Sequence, residues 1–122
     1  MRQPSTPEKA RSATLHWWRQ RLTALCLLPL TLWFILGLAQ LPQLTYSGFL
    51  DWIKTPWNAI TLGIFMLLGL FHAVMGLEVI IEDYVHHPML RAGALKTIRF
   101  VLLLTESAAL LSILKLSFPD AT

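Results

Sequence analysis

The fold of this chain is decided by residues 59–81, which read AITLGIFMLLGLFHAVMGLEVII. At 1.5 Å per residue this run makes a helix of about 35 Å, enough to cross the roughly 30 Å hydrocarbon core of a membrane. His72 lies near its middle, and histidines are rare inside membrane spans unless they serve a function. The stretch therefore predicts a transmembrane helix that carries a functional side chain at mid-depth.

The end of the same run adds an acid and a phenol. Asp83 and Tyr84 follow His72 by eleven and twelve residues. Eleven residues are close to three helical turns, so Asp83 is expected about 16 Å from His72 and within roughly 20° of it around the helix axis. This arrangement suits a protein that holds a redox cofactor near a second site at the membrane surface.

The composition indicates a membrane protein. Charged residues make up 14% of the 122 residues, whereas soluble domains carry about 25%. Cys26 has no partner cysteine in the chain, which excludes an intrachain disulfide and a Cys-x-x-Cys-His haem attachment. The net charge of +3 comes from Lys and Arg beside apolar segments, so it favours a membrane surface over nucleic acid.

The apolar runs predict an all-α integral membrane unit with three transmembrane helices, at about 22–41, 59–81 and 97–118. Residues 1–15 are polar and are expected to form a flexible cytoplasmic tail, followed by a membrane-anchor domain over 16–122. A cleaved signal peptide is the competing interpretation of the first run, but the apolar region of such peptides is shorter, at about 7–15 residues.

The positive charges predict the orientation. Eight of the ten Lys and Arg residues lie before Leu22 or in the segment 91–99, and the other two are Lys54 and Lys115. Since Lys and Arg concentrate on the cytoplasmic side of membrane proteins, the N-terminus and the turn at 82–99 are expected inside and the C-terminus outside. The loop at 42–57 carries or adjoins aromatic side chains that resemble an interfacial belt: Tyr46, Trp52 and Trp57.

Two interpretations of His72 stay open on the residues alone. Gly69 and Gly76 flank it on one helical stripe, and glycines let a second backbone or a flat macrocycle approach closely. The histidine is then either a haem ligand or a side chain hydrogen-bonded across a tight helix interface. Asp83 and Tyr84 are likewise either site residues or ordinary residues of the membrane interface.

The remaining polar residues are less specific. Arg21 is suited to one of two roles: it anchors the helix at the membrane interface with its guanidinium group in water, or it binds an anion. His86 and His87 are expected to be exposed turn residues, because no carboxylate or thiolate completes a metal-ligand spacing with them.

Three acids lie in or directly after the second and third runs. Glu78 and Glu82 share a face away from His72 and are expected to pair with Lys or Arg of a neighbour. Glu106, inside the third run, needs a partner or a protonated state. The residues assign no role to it.

A family resemblance rests on three short segments. Residues 72–76 (HAVMG) and 83–85 (DYV) resemble the signature of the hydrophobic membrane anchor subunit of succinate dehydrogenase, the small cytochrome b-type anchor of respiratory complex II. Residues 18–24 (WRQRLTA) are similar to the Arg-x-Thr start of the first helix in that family. The similarity extends over nearly the whole chain.

The resemblance implies specific roles. His72 would be one axial ligand of a haem b, and a histidine of a sister cytochrome b anchor subunit would be the other. Tyr84 would help to bind ubiquinone, with Asp83 beside it. Arg21 would lie near the haem propionates or the quinone pocket.

The resemblance also implies partners. A flavoprotein subunit and an iron–sulfur subunit would dock on the cytoplasmic face, so that electrons pass from succinate to quinone. This chain would then be a non-catalytic subunit, in a bacterial inner membrane rather than a mitochondrial one. The alternatives are the related anchor of a fumarate reductase, a cofactor-free structural or assembly protein, and a proton- or ion-path subunit that uses Glu78 and Glu106.

Overall fold

The computed structural model describes residues 6–121, and all regular structure within them is helical. In chain order the helices are α1 (Pro7–Ala39), α2 (Tyr46–Ile53), α3 (Pro56–Tyr84) and α4 (Pro88–Ser117), followed by a 3-10 turn (Pro119–Ala121). Helices α1, α3 and α4 are each long and apolar enough to cross a membrane. The predicted all-α architecture with three membrane spans is confirmed.

Local sequence sets where each helix begins. The three long helices start on prolines: Pro7, Pro56 and Pro88. Proline suits the first helical position because its fixed φ is already helical and its missing N–H has no partner there in any case. The short α2 begins after Thr45, whose side-chain oxygen accepts a hydrogen bond from the Gly48 N–H at 3.2 Å.

The first helix is longer than the apolar run that predicted it. Residues 7–15 are helical, where the sequence predicted a flexible tail, and α1 reaches about 50 Å. Hydropathy marks only the part of a helix that lies in lipid, and polar residues such as Glu8 and Lys9 continue a helix readily beyond it. Residues 1–5 of the expected tail lie outside the described residues.

The loop between the first two spans contains a helix that the sequence did not predict. The last residue of α2, Ile53, is 1% exposed and is the most deeply buried large side chain among the described residues. Its carbonyl accepts a hydrogen bond from the Ser117 hydroxyl at 3.1 Å, and the Trp52 carbonyl accepts one from the Asn58 amide at 2.9 Å. Helix α2 is thereby fixed to the ends of both α3 and α4.

Helix α3 is the centre of the bundle, because it packs against α1 on one side and α4 on the other. The buried apolar side chains are few: Ile53, Ala59, Leu62 and Met75. Most other large apolar residues point outwards, which suits contact with lipid or with further helices rather than with water.

Trp52 anchors α2 to the first helix through aromatic contacts. Its ring centroid lies 5.4 Å from that of Trp33 on α1 and 5.8 Å from that of Phe49. Tyr46 and Trp57 are 74% and 70% exposed, as expected of belt residues. Trp52 is only partly exposed and departs from the predicted belt, because the helical turn of α2 directs it into the bundle.

Substitution of Gly37 tests this packing. A Cβ at Gly37 would lie 3.0 Å from Trp52 Cζ2, whereas a Cβ at Gly93, also helical, would meet nothing within 4 Å. Alanine is favoured over glycine inside helices by about 1 kcal/mol. In thermal unfolding of the detergent-purified complex, Gly93→Ala should keep or raise the Tm and Gly37→Ala should lower it. Equal effects of the two substitutions would contradict the close contact with Trp52.

Candidate functional site

His72 lies in the middle of α3 and contacts α1. Its Nδ1 is 2.9 Å from the Thr23 hydroxyl oxygen, and this hydrogen bond joins residues 49 apart in sequence. One of the two interpretations from sequence, a histidine hydrogen-bonded across a helix interface, therefore describes the chain's own packing. It does not exclude the other, because an imidazole has a second ring nitrogen.

A cavity of about 360 Å³ adjoins His72 on the α1 side. Its other lining residues all come from α1: Trp17, Gln20, Arg21 and Ala24. These residues are spaced three and four apart, so they form one face of the helix. The structure thus brings the two site residues His72 and Arg21 to the same cavity.

Arg21 has an aromatic neighbour within this cavity. Its guanidinium carbon lies 5.2 Å from the centroid of the Trp17 ring, which is cation–π geometry. Trp17 in turn meets Trp18 edge to face, with ring centroids 5.1 Å apart. No hydrogen bond or ion pair of the exposed Arg21 side chain occurs within residues 6–121, and a guanidinium group can bind an anion through two parallel donors.

Gly69 and Gly76, which flank His72 on one side of α3, both face α1. The nearest neighbour of a Cβ built on Gly69 would be Leu27 Cδ2, and that of a Cβ on Gly76 would be Gln20 Nε2, both at 3.9 Å. These are ordinary contact distances, so packing against α1 does not by itself demand glycine at either position. Small residues here keep the space beside the imidazole wide.

Asp83 and Tyr84 lie apart from this cavity. They form the last turn of α3, about 16–18 Å along the helix from His72. Both are exposed, Tyr84 to 78%, and neither side chain has a hydrogen-bond partner within the described part of the chain. The structure therefore groups Arg21 with His72 and leaves Tyr84 and Asp83 on a separate, open surface.

The acids predicted to need partners behave differently from one another. Glu78 on α3 accepts a hydrogen bond from Arg99 of α4 at 2.7 Å, which confirms the expected pairing with a cation and places it inside the chain. Glu82 is exposed. Glu106 is 9% exposed, and both of its carboxyl oxygens are buried with no hydrogen-bond partner among residues 6–121.

The turn between α3 and α4 contains no metal site that this chain could form alone. His86 and His87 are exposed there, as expected. Within residues 6–121 no group of three or more His, Cys, Asp or Glu side chains is close enough to hold an ion.

The residues around His72 fit a haem edge. One imidazole nitrogen is held by a hydrogen bond, as is usual for histidines that ligate metals, and the other would be available to a haem iron. Arg21, which lines the same cavity, would be available to pair with a propionate. Only one histidine lines this cavity, so a second axial imidazole would have to come from another chain.

Three residues of the site received no role from the sequence: Trp17, Gln20 and Thr23. The spacing of positions 17, 20, 21 and 24 was the available signal, since it places them on one helix face with Arg21. The Arg-x-Thr segment marked Thr23 only as part of the start of the first helix, and its contact with His72 could not be predicted because the two residues are 49 apart in sequence.

Comparisons with known proteins agree with this architecture. Residues 3–112 match the family described as Succinate dehydrogenase/Fumarate reductase transmembrane subunit. The Succinate dehydrogenase hydrophobic membrane anchor subunit of Rickettsia bellii (strain RML369-C) is 30% identical over 104 residues, which cover 85% of this chain and 83% of that protein. The Succinate dehydrogenase membrane anchor subunit of Reclinomonas americana is 34% identical over 97 residues, or 76% of this chain and 80% of that protein.

A more distant relative has the same description. The Succinate dehydrogenase hydrophobic membrane anchor subunit of Paracoccus denitrificans is 28% identical over 75 residues, which cover 62% of this chain and 58% of that protein. No solved structure gives a significant match. The family match over most of its length and the relatives at 30% identity or more show that the chain belongs to the succinate dehydrogenase/fumarate reductase transmembrane subunit family.

Proposed function

We propose that this chain, as a membrane anchor of succinate dehydrogenase, helps to bind a haem b and ubiquinone. The observation that carries the proposal is the position of His72, held by Thr23 and sharing a cavity with Arg21. The chain has no flavin, dicarboxylate or iron–sulfur cysteine motif. Oxidation of succinate therefore belongs to the flavoprotein and iron–sulfur subunits that the anchor holds at the membrane.

In this proposal His72 and a histidine of the sister anchor subunit would together hold the haem iron. A haem b held by two imidazoles would supply electron transfer. Arg21 would pair with a propionate through its planar array of donors. The apolar faces of α1 and α3 would exclude water from the site.

The quinone site is proposed at the end of α3. A phenol combines an apolar ring with one O–H donor, which suits a boundary where an isoprenoid tail stays in lipid. Tyr84 donates a hydrogen bond to one quinone carbonyl and stabilises the charge that builds up there during reduction. Asp83 orients neighbouring cations or relays protons. Because Tyr84 is exposed in this chain, partner subunits must supply the other walls of the pocket.

The orientation follows from the charges. We infer that the N-terminus and the α3–α4 end of the bundle face the cytoplasm, in a bacterial inner membrane. Lys and Arg concentrate before Leu22 and in the first turns of α4, at Arg91, Lys96 and Arg99. The exposed end of α3 then lies on the side where the iron–sulfur subunit docks. Electrons arriving from that subunit reach the quinone at Tyr84 without crossing the membrane.

Substitution of His72 tests the haem assignment. In the purified complex, His72→Ala should abolish or change the low-spin haem b signal in a reduced-minus-oxidised spectrum, because one axial ligand is lost. His87→Ala is the matched control, since it removes an imidazole that is exposed in the turn after α3. Its spectrum should equal that of the wild type.

An unchanged haem signal in an assembled His72→Ala complex would rule out the ligand assignment. A wild-type complex that contains no haem b would favour the alternative of a cofactor-free structural anchor. These two results are distinguishable because the first requires a haem to be present.

Substitution of Tyr84 tests the quinone site. Tyr84→Phe removes only the hydroxyl donor, and loss of a donor that faces developing charge typically costs about 10²–10³ in rate. Because the site is open, we expect a fall of at least roughly tenfold in succinate–quinone activity. Succinate oxidation by artificial acceptors and the haem spectrum should stay unchanged.

Tyr46→Phe is the control for this experiment. Tyr46 is the other tyrosine of the chain, is similarly exposed at 74%, and lies beyond the opposite end of α3. It should leave quinone reduction intact. If Tyr84→Phe also leaves quinone reduction and inhibitor sensitivity intact, Tyr84 is an ordinary residue of the aromatic belt.

A further inference from the structure

We propose that Thr23 is a positioning residue for His72: its hydroxyl accepts a hydrogen bond from Nδ1–H, which fixes the tautomer and leaves Nε2 as the nitrogen that ligates iron. The inference rests on the proposed haem site. The Thr23 hydroxyl oxygen has three close neighbours. It lies 2.9 Å from the Arg19 carbonyl oxygen, 3.0 Å from the Gln20 carbonyl oxygen and 2.9 Å from His72 Nδ1.

One proton must serve these three contacts. A threonine hydroxyl has a single proton, and a carbonyl oxygen can only accept. The hydroxyl therefore donates to the two carbonyls, between which its proton is shared, as serines and threonines in helices often do. Its lone pair is then left for His72, so that the imidazole must be the donor and Nδ1 must carry a proton.

The opposite arrangement is unfavourable. If the hydroxyl donated to Nδ1, its oxygen would face both carbonyl oxygens at 2.9 and 3.0 Å with no proton between them. Thr23 is buried, so water does not relieve that repulsion. The tautomer of His72 is thus set by α1, because the backbone carbonyls of α1 fix the direction in which the Thr23 hydroxyl points its proton.

The consequence for His72 is both geometric and electronic. A neutral imidazole that is protonated at Nδ1 carries its lone pair on Nε2. When Nδ1–H of His72 donates a hydrogen bond to Thr23, the ligating nitrogen Nε2 also becomes more basic and the plane of the ring is fixed. Loss of the hydrogen bond should weaken electron donation to the iron and so raise the haem reduction potential.

The test uses the assembled complex and two substitutions of Thr23. Thr23→Val keeps the shape and removes the hydroxyl, and Thr23→Ser keeps the hydroxyl. We expect the haem midpoint potential to shift upwards and the low-spin electron paramagnetic resonance signal to change in Thr23→Val. Both should return to near wild-type values in Thr23→Ser.

Thr61→Val is the matched control. Thr61 lies on α3, and its hydroxyl donates a hydrogen bond to the Trp57 carbonyl, four residues earlier, at 2.8 Å. Unlike Thr23, it makes no hydrogen bond with a histidine among the described residues. This substitution removes the same kind of back-bonded hydroxyl from a helix. It should leave the potential and the resonance signal unchanged.

Each outcome decides the inference. A haem-containing Thr23→Val complex with an unchanged potential and resonance signal would overturn the role of Thr23 while leaving the His72 ligand assignment intact. If Thr23→Val loses the haem, Thr23→Ser should retain it, and loss in both would also contradict the inference.

The tautomer can be read directly. In the complex labelled with ¹⁵N-histidine, the imidazole signal that disappears in His72→Ala should report a proton on Nδ1. A proton on Nε2 would overturn the inference whether or not the complex holds a haem. Absence of haem from the wild type would instead contradict the proposed function, so the two failures are separable.

Discussion

The hydrogen bond between Thr23 and His72 sets the register of α1 against α3. The interface between these helices is mostly apolar, and apolar contacts alone tolerate small shifts along or around a helix. The Thr23–His72 pair does not, because a displaced His72 would lose its hydrogen bond inside a membrane span, where a polar side chain needs a partner. Leu27 faces Gly69 and Gln20 faces Gly76, each 3.9 Å from where a Cβ on the glycine would lie, and these two positions are on either side of the bond in antiparallel order. Placement of Arg21 beside the imidazole follows from the same register.

The remainder of the molecule suits an anchor that is completed by other chains. Few side chains are buried, and α1 and α4 present apolar faces on their outer sides, including Leu25, Leu28, Leu103 and Leu111. Lipid covers such faces, and so do the helices of partner subunits. The one site residue that carries a phenol, Tyr84, is open at the end of α3. In the proposed function, such a chain would hold parts of the haem and quinone sites, and partner subunits would complete both.

Glu106 is consistent with this view of an incomplete unit. Its carboxyl oxygens are buried and have no hydrogen-bond partner within residues 6–121. The other acid in a membrane span, Glu78, is paired with Arg99 across α3 and α4. Of the two acids named for the proton-path alternative, Glu78 is therefore already paired within the described residues.

Much of the fold could be predicted from the sequence because hydrophobic length is a strong constraint in membranes. The three spans, the central position of His72 and its shared stripe with two glycines all follow from length and helical period. The extension of α1 to Pro7 and the existence of α2 could not, since polar residues are compatible with both helix and loop. Thr23 could not be assigned either, because its role arises only when α1 and α3 pack.

The grouping of the candidate site residues is information that only the structure adds. Arg21 is predicted to lie near the haem propionates or the quinone pocket, and the structure puts it in the cavity that His72 lines, which does not include Tyr84. Sequence places residues along each helix but does not say which helix faces turn towards one another. That choice depends on the long-range contacts of α3 with its two neighbours.

The measurement that tests the central claim most directly is an experimental structure of the whole complex, purified from its native membrane. The account predicts a haem beside the α1–α3 interface, with His72 Nε2 bound to its iron, Nδ1 still within hydrogen-bond distance of Thr23, and a partner histidine on the opposite face. A structure in which His72 only bridges two helices, with no iron at its free nitrogen, would contradict it.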